Sequence, residues 1–303
     1  MQDAYPTIAV VGPTGAGKSS LALSLATRFG GEIISCDSVQ VYAGLDIGSA
    51  KTPPAERLGI AHHLLDLIEP EGEVTAGDYV REATAVLEAI RLRGALPVIV
   101  GGTGFYLRAL LHGLSPAPTR NPQLRERLAA MLQRRPAALH RFLQRHDRAA
   151  AERIHPNDHQ KLIRAIELAG QITQPRQELA GFRFLKIGLN PPRAALYERL
   201  NERSRWMFEN GLLEETEGLL NRGVPATAKP LATLGYRQAV SVLTQAMPLE
   251  EAIADCQMRT RHYAKRQLTW FRAEPDVCWL TSFGDHEEVI HQAVALVQAF
   301  LSG

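Results

Sequence analysis

Thr7–Val11 reads TIAVV, and Gly12–Ser19 continues it as GPTGAGKS. A short unbroken apolar run suits a strand buried on both faces. The eight residues after it match G-x-x-x-x-G-K-[ST] in full. Ser19–Arg28 then has helical composition, so the motif sits between a strand and a helix, the context it requires. Glycines let consecutive N–H groups turn inward onto phosphate oxygens. The helix N-terminus adds positive potential. Lys18 adds a full charge, and the Ser19 hydroxyl is a ligand for Mg²⁺. Gly12, Pro13, Thr14, Gly15, Ala16, Gly17, Lys18 and Ser19 are therefore expected to cradle a di- or triphosphate. Such a loop reports phosphate binding, not ATP consumption.

Further along, Glu32–Ser35 (EIIS) and Pro97–Val100 (PVIV) are two more short strands. Gly77–Arg93 between them carries Tyr79, Ala83, Val86, Leu87 and Ile90 at helical spacing. Strand and helix alternate, which implies a P-loop NTPase-like α/β core, a parallel sheet flanked by helices. Ser115–Pro118 (SPAP) reads as a linker, and 121–180 as almost wholly helical. Phe182–Leu189 (FRFLKIGL) returns to a β pattern, long helical segments follow from Arg193, and Val277–Leu280 is a last strand. The expected organisation is a catalytic core from 1–115 and 181–303, interrupted by an inserted helical subdomain over 116–180.

The chain has 303 residues, 45% of them hydrophobic and 22% charged, with a net charge of +2. That composition builds a substantial core and excludes general disorder. The charge is unevenly spread: residues 120–176 hold 12 Lys/Arg against 5 Asp/Glu. The excess suits a polyanion contact or a solvated helical face. Cys36, Cys256 and Cys278 form no CxxC pair, which argues against a disulfide framework or a zinc site and fits a reducing cytoplasm. No apolar run approaches a membrane span, and the first residues do not read as a signal peptide. No membrane partner is expected. Nothing asks for an obligate assembly, so a monomer is expected.

Ligands of an open parallel sheet lie beyond the carboxyl ends of its strands. Asp37-Ser38-Val39-Gln40 follows the second strand and Gly101-Gly102-Thr103-Gly104 the third, so both should face the phosphate. Asp37 can also cap a helix starting near Ser38, and GGTG can be a plain tight turn. Arg259–Arg272 (RTRHYAKRQLTWFR) has five Lys/Arg and no acid. On a helix Arg261 and Lys265 stand one turn apart, with Tyr263, Gln267 and Trp270 on a neighbouring face. That suits phosphate contact with base stacking, or aromatic core packing with outward arginines.

GPTGAGKS, DSVQVY, GGTGFY, HPNDHQKLIRAIE (His155–Glu167), LGYRQ (Leu234–Gln238) and TRHYAKRQLTWFR occur in this order from residue 12 to 272. Together they resemble the bacterial-type tRNA dimethylallyltransferases, also called tRNA isopentenyltransferases. The resemblance implies transfer of a dimethylallyl group from dimethylallyl diphosphate to the exocyclic amine of the adenine 3′ of the anticodon. It implies Asp37 as the base, Arg203 at the diphosphate, Thr14 and Thr103 near the reacting groups, and Mg²⁺ near Ser19. It also implies that the tRNA anticodon stem-loop is gripped between core and insertion. The implied RNA contacts are Asp37–Gln40 and Thr103, then Arg125 and Lys161, Leu162, Ile163, Arg164 and Ala165, and finally Arg261, Lys265 and Arg266. Lys161 stands where the family commonly has Arg, which keeps charge and loses the bidentate fork. Competing readings are prenylation of free adenine nucleotides, a P-loop small-molecule kinase, and a non-catalytic RNA-binding module. The first needs no basic insertion, and the second needs ATP turnover.

Overall fold

The computed structural model describes residues 4–114, 121–169 and 179–303. They fall into two compact units, Met1–His112 with Glu178–Gly303, and Gly113–Gln177. The Ser115–Pro118 linker and the end of the 121–180 helical stretch lie outside the described residues.

The first unit is built on a six-stranded, wholly parallel sheet. Its strands are β1 (Tyr5–Val11), β2 (Gly31–Ser35), β3 (His62–His63), β4 (Leu96–Val100), β5 (Phe182–Leu189) and β6 (Val277–Leu280), ordered β3-β2-β4-β1-β5-β6. β1 is central. Ile8 faces Val98 of β4 on one side and Leu185 of β5 on the other. Both faces of this sheet are covered, which is why TIAVV is apolar without alternation. Against one face pack α1 (Lys18–Phe29), through Leu21 and Leu25, and α12 (Glu287–Ser302), through Val289 and Val297. Against the other pack α2 (Ala76–Leu92) and α3 (Gly104–His112). Tyr79, Ala83, Leu87 and Ile90 of α2 are buried there, and Tyr79 stacks on Tyr106 with ring centroids 4.5 Å apart. α2 starts where it does because Thr75 and Asp78 form a reciprocal capping box.

β3 was not apparent from the sequence. It is two histidines long, beside β2 at the sheet edge, too short to show any periodicity. Nor does a helix begin at Ser38: Ser38–Val41 is a turn. A third core forms beyond the sheet. There Val41, Tyr42 and Leu45 pack on α8 (Arg193–Glu209), α9 (Leu212–Asn221), α10 (Tyr236–Leu243) and α11 (Leu249–Arg272), through Met207, Leu212, Tyr236 and Ile253.

The second unit is helical: α4 (Pro122–Arg134), α5 (Ala138–His146), α6 (Arg148–Arg153) and α7 (His159–Leu168). Leu128, Leu132, Leu139, Leu143, Leu162 and Ile163 form its core. Among the described residues no helix is long and apolar enough to cross a membrane.

Candidate active site

The loop after β1 turns tightly enough to aim its amides only because its glycines accept left-handed backbone. Gly12, Gly15 and Gly17 have φ of 137°, 78° and 84°. α1 begins at Lys18, whose Nζ donates to the Pro13 carbonyl at 2.8 Å. Burial pulls the Lys18 ammonium down to about 8; Asp37 opposes that fall and Arg203 adds to it. Ser19 is exposed at the same helix start.

Asp37 lies just past the end of β2, as the strand-end rule requires. Its Oδ1 accepts from Val39 N at 2.8 Å and Gln40 N at 3.3 Å, so it caps a turn rather than a helix. Oδ2 accepts no hydrogen bond among the described residues. Thr103 sits beneath this turn. Its hydroxyl accepts from Ser38 N at 3.1 Å, which ties the end of β4 to the turn after β2. Gln40 fastens the turn on its other side: its Oε1 accepts from the Ser35 hydroxyl, and its Nε2 donates to the Ser49 and Ala50 carbonyls.

α11 closes over the strand ends. Gln267 is buried and bonds both phosphate-edge loops: its Oε1 accepts from Thr14 N at 2.8 Å, and its Nε2 donates to Gly102 O at 2.9 Å. The sequence expectation put Gln267 on a base-stacking face. It is instead a tie: among the described residues it is the partner of Thr14 N, and it adds a second bond to Gly102 O, which also accepts from Gly104 N at 3.2 Å. The GGTG glycines answer to the same approach. A Cβ at Gly101 would lie 2.0 Å from the Cys36 carbonyl oxygen, and one at Gly104 would lie 2.1 Å from Trp270. Trp270 packs partly into the core under the Arg108 guanidinium, 4.5 Å from its ring centroid. Tyr263 is half-buried and lines the cleft described next.

Two adjoining clefts, about 560 Å³ and about 480 Å³, share Thr14, Asp37, Ser49, Arg203 and Tyr263. Each is the size of a small-ligand pocket. The first also carries Gly15, Gly17, Lys18, Ser19, Gln40, Gly101 and Gly102. The second carries Ser38, Val39, Leu200, Met207 and Cys256, with Arg237, Arg259 and Arg266 also in its lining. Arg203 comes from α8 and has no hydrogen bond or ion pair among the described residues. Its surroundings lower its pKa through burial, against the pull of Asp37 and Cys256. An unpaired guanidinium beside a desolvated ammonium is costly without an anion between them. For Mg²⁺, the Ser19 hydroxyl and Asp37 carboxylate line the same cleft as these cations. Hard oxygen donors beside a phosphate cradle fit an ion that keeps waters and shares substrate oxygens.

The residues expected at RNA divide. Lys265 and Arg266 are exposed on α11 with no acidic partner among the described residues. Arg261 is half-buried and bonds Asn201. In the helical unit, Lys161 is exposed and pairs with Asp158 at 2.6 Å. Arg125 and Arg164 both grip Glu167, whose side chain is 3% exposed. Burial opposes ionisation of Glu167, but hydrogen bonds from Arg125, Arg164 and Asn121 N outweigh it and hold the carboxyl below its usual range. Leu162 and Ile163 are core residues of this unit, with 0% and 5% exposure. Their side chains cannot touch RNA as expected; α7 is amphipathic, and its apolar stripe faces inward. Ala165 packs partly against the same core.

Sequence reasoning missed Arg199, Trp206 and Asp285, all lining the phosphate cleft. Two signals were available. Arg199 stands one turn before Arg203 on α8, and Asp285 follows the carboxyl end of β6, where ligands of a parallel sheet lie.

A family model described as IPP transferase matches residues 40–274. The tRNA dimethylallyltransferase of Koribacter versatilis is 51% identical over 298 residues, covering 95% of this chain and 97% of that protein. The one from Solibacter usitatus is 49% identical, covering 98% and 99%. Among solved structures, the full-length tRNA isopentenylpyrophosphate transferase of Bacillus halodurans is 35% identical with a TM-score of 0.76, over 99% of this chain and 97% of that one. A eukaryotic dimethylallyltransferase acting on tRNA is 26% identical with a TM-score of 0.83, over 99% and 80%. Likeness of this extent, end to end in sequence and fold, means that the chain belongs to the IPP transferase family.

Proposed function

We infer that this protein is a tRNA dimethylallyltransferase that takes its prenyl group from dimethylallyl diphosphate and places it on the exocyclic amine of the adenine 3′ of the anticodon. The observation that carries the chemistry is one cleft holding two cations, Lys18 and Arg203, that feel Asp37 but have no ion-paired acid among the described residues, and one carboxylate, Asp37, whose Oδ2 accepts no hydrogen bond among them. Cations and inward amides stabilise the charge that grows on a departing diphosphate. The amine is a weak nucleophile because its lone pair is delocalised, so losing a proton during attack helps. As the carbon–oxygen bond to diphosphate breaks, the amine nitrogen bonds that carbon. Diphosphate leaves with the electron pair, and Asp37 Oδ2 takes the amine proton. Thr14 and Thr103 act at this point differently: Thr14 lines the cleft, while Thr103 holds the Ser38 turn that carries Asp37. Ser19, with Asp37 nearby, would hold Mg²⁺ against the diphosphate, where the ion neutralises leaving-group charge.

The adenine must leave its stack to reach such a cleft. The second cleft, beside Asp37 and ending in arginines, is the place for it. Lys265 and Arg266 on α11 and Lys161 on α7 then meet phosphates of the anticodon stem-loop. Arg125 and Arg164 act by holding Glu167 and thus the fold of the helical unit. Three free cysteines, two of them buried, fit a reducing cytoplasm.

The test is incubation with Mg²⁺, dimethylallyl diphosphate and unmodified tRNA, followed by digestion and mass analysis of the nucleosides. Isopentenyladenosine is expected, and its loss in Asp37→Ala, with diphosphate binding retained, identifies the base. Prenylated AMP with untouched tRNA would move the acceptor, and ATP turnover without prenylation would overturn the reading.

A further inference from the structure

The Arg199–Asp285 pair at the mouth of the phosphate cleft has no part in the chemistry above. Arg199 lies one helical turn before Arg203 on α8, and both line the cleft with Lys18 and Ser19. Its guanidinium carbon sits 4.5 Å from the Phe283 ring centroid, and it forks onto Asp285, Nη1 to Oδ1 at 3.1 Å with Nη2 on Oδ2. Asp285 is no distant surface acid. Its neighbour Gly284 donates to Ala16 O inside the phosphate loop at 2.8 Å. A Cβ at Gly17 would come within 3.0 Å of Asp285 Oδ1. A carboxylate therefore stands at the loop where an anion binds, and a guanidinium compensates it.

While the pair holds, the two charges largely cancel and Arg199 lends the anion site little net positive potential. A carboxylate near bound diphosphate repels it by a like-charge interaction in a partly buried setting. A guanidinium forks onto phosphate as readily as onto carboxylate. We propose that Arg199 is a second diphosphate cation, held in reserve by Asp285, and that it trades Asp285 for a diphosphate oxygen when the cleft fills and returns to Asp285 when diphosphate departs. The trade lets Arg199 tighten the charged ligand while its own charge stays paired in the empty cleft. Asp285 acts as the competitor that releases product.

The inference rests on the diphosphate assignment under Proposed function, and the two are separable by experiment. The probe is inorganic diphosphate with Mg²⁺, titrated calorimetrically into the full-length protein. Wild-type binding that is lost in Lys18→Ala supports the assignment itself; no binding by wild type removes that assignment and this inference with it. If the trade occurs, Arg199→Ala weakens binding about tenfold, because one charge-assisted contact is lost. Asp285→Asn tightens it about threefold, because the competing charge is gone. It also makes diphosphate a stronger product inhibitor of prenyl transfer. Arg199→Lys, with thermal melts of every variant, controls for folding and should recover part of the affinity. A merely structural bridge between α8 and the segment after β6 predicts one sign for both variants. Weakening by both, or no change in Arg199→Ala at unchanged melting temperature, overturns the proposal.

Discussion

Lys18 shows how a single residue is set by its surroundings. Desolvation has pulled its ammonium down to about 8, and the carboxylate of Asp37 keeps it from falling further. The protonated form is the one that binds an anion. Below that pH the empty site is already charged. Above it, binding must be coupled to proton uptake, and affinity falls by up to about tenfold per pH unit. Inorganic diphosphate should therefore bind with an affinity that drops as pH rises through about 8, while Lys18→Arg, charged throughout, shows only the titration of the ligand. Parallel profiles for the two proteins would remove Lys18 from the diphosphate. Asp37 and Lys18 were both visible in the sequence, since a phosphate loop and a strand end are local signals. That, among the described residues, Asp37 Oδ2 accepts no hydrogen bond and Arg203 has no paired acid was not, because an absent contact is a property of three dimensions.

At the scale of elements, α11 matters more than its basic sequence suggested. Five Lys/Arg without an acid read as a surface for polyanions, and the exposed side of the helix keeps that role. Its inner side clamps the site: Gln267 satisfies Thr14 N and Gly102 O together. Removing it leaves the part-buried Thr14 N without its partner and takes one of two bonds from Gly102 O, at about 1–3 kcal/mol. Gln267→Ala should lower the melting temperature and the prenylation rate together, with tRNA affinity near wild type. An unaltered rate in a destabilised protein would confine Gln267 to the fold. The glycines after β4 follow the same logic. GGTG by itself read more readily as a plain turn than as a ligand loop, and what constrains it is the closeness of Cys36 and Trp270 to Gly101 and Gly104. Nothing local to the glycines carries that information.

At the scale of the molecule, charge is divided between two units. The helical unit carries the local excess of basic residues, yet Arg125 and Arg164 spend theirs on Glu167. The exposed cations with no acidic partner among the described residues include Lys265 and Arg266, while Lys161 is exposed but pairs with Asp158. Binding of tRNA should weaken steeply with salt, as released counterions require. The double variant Lys265→Ala, Arg266→Ala should reduce the slope of log affinity against log salt by roughly 2. An unchanged slope would take the outer face of α11 off the RNA. The charge excess was legible from a count of residues, but which cations are spent inside the unit was not. Leu162 and Ile163 make the same point: they lie within a recognisable motif and serve the core.

The phosphate loop, the parallel α/β architecture and the helical character of the insertion were determined by sequence alone. Each rests on local rules: turn-forming glycines before a helix, apolar runs of strand length, and the 3.6-residue period. Tertiary structure alone decided that Arg203 has no ion-paired or hydrogen-bonded partner among the described residues, that Gln267 bridges two loops, and that Asp285 stands at the phosphate loop holding Arg199. Those facts join residues from distant parts of the chain. Their cause is the stacking of strand ends and helices into one edge, which no window of sequence contains.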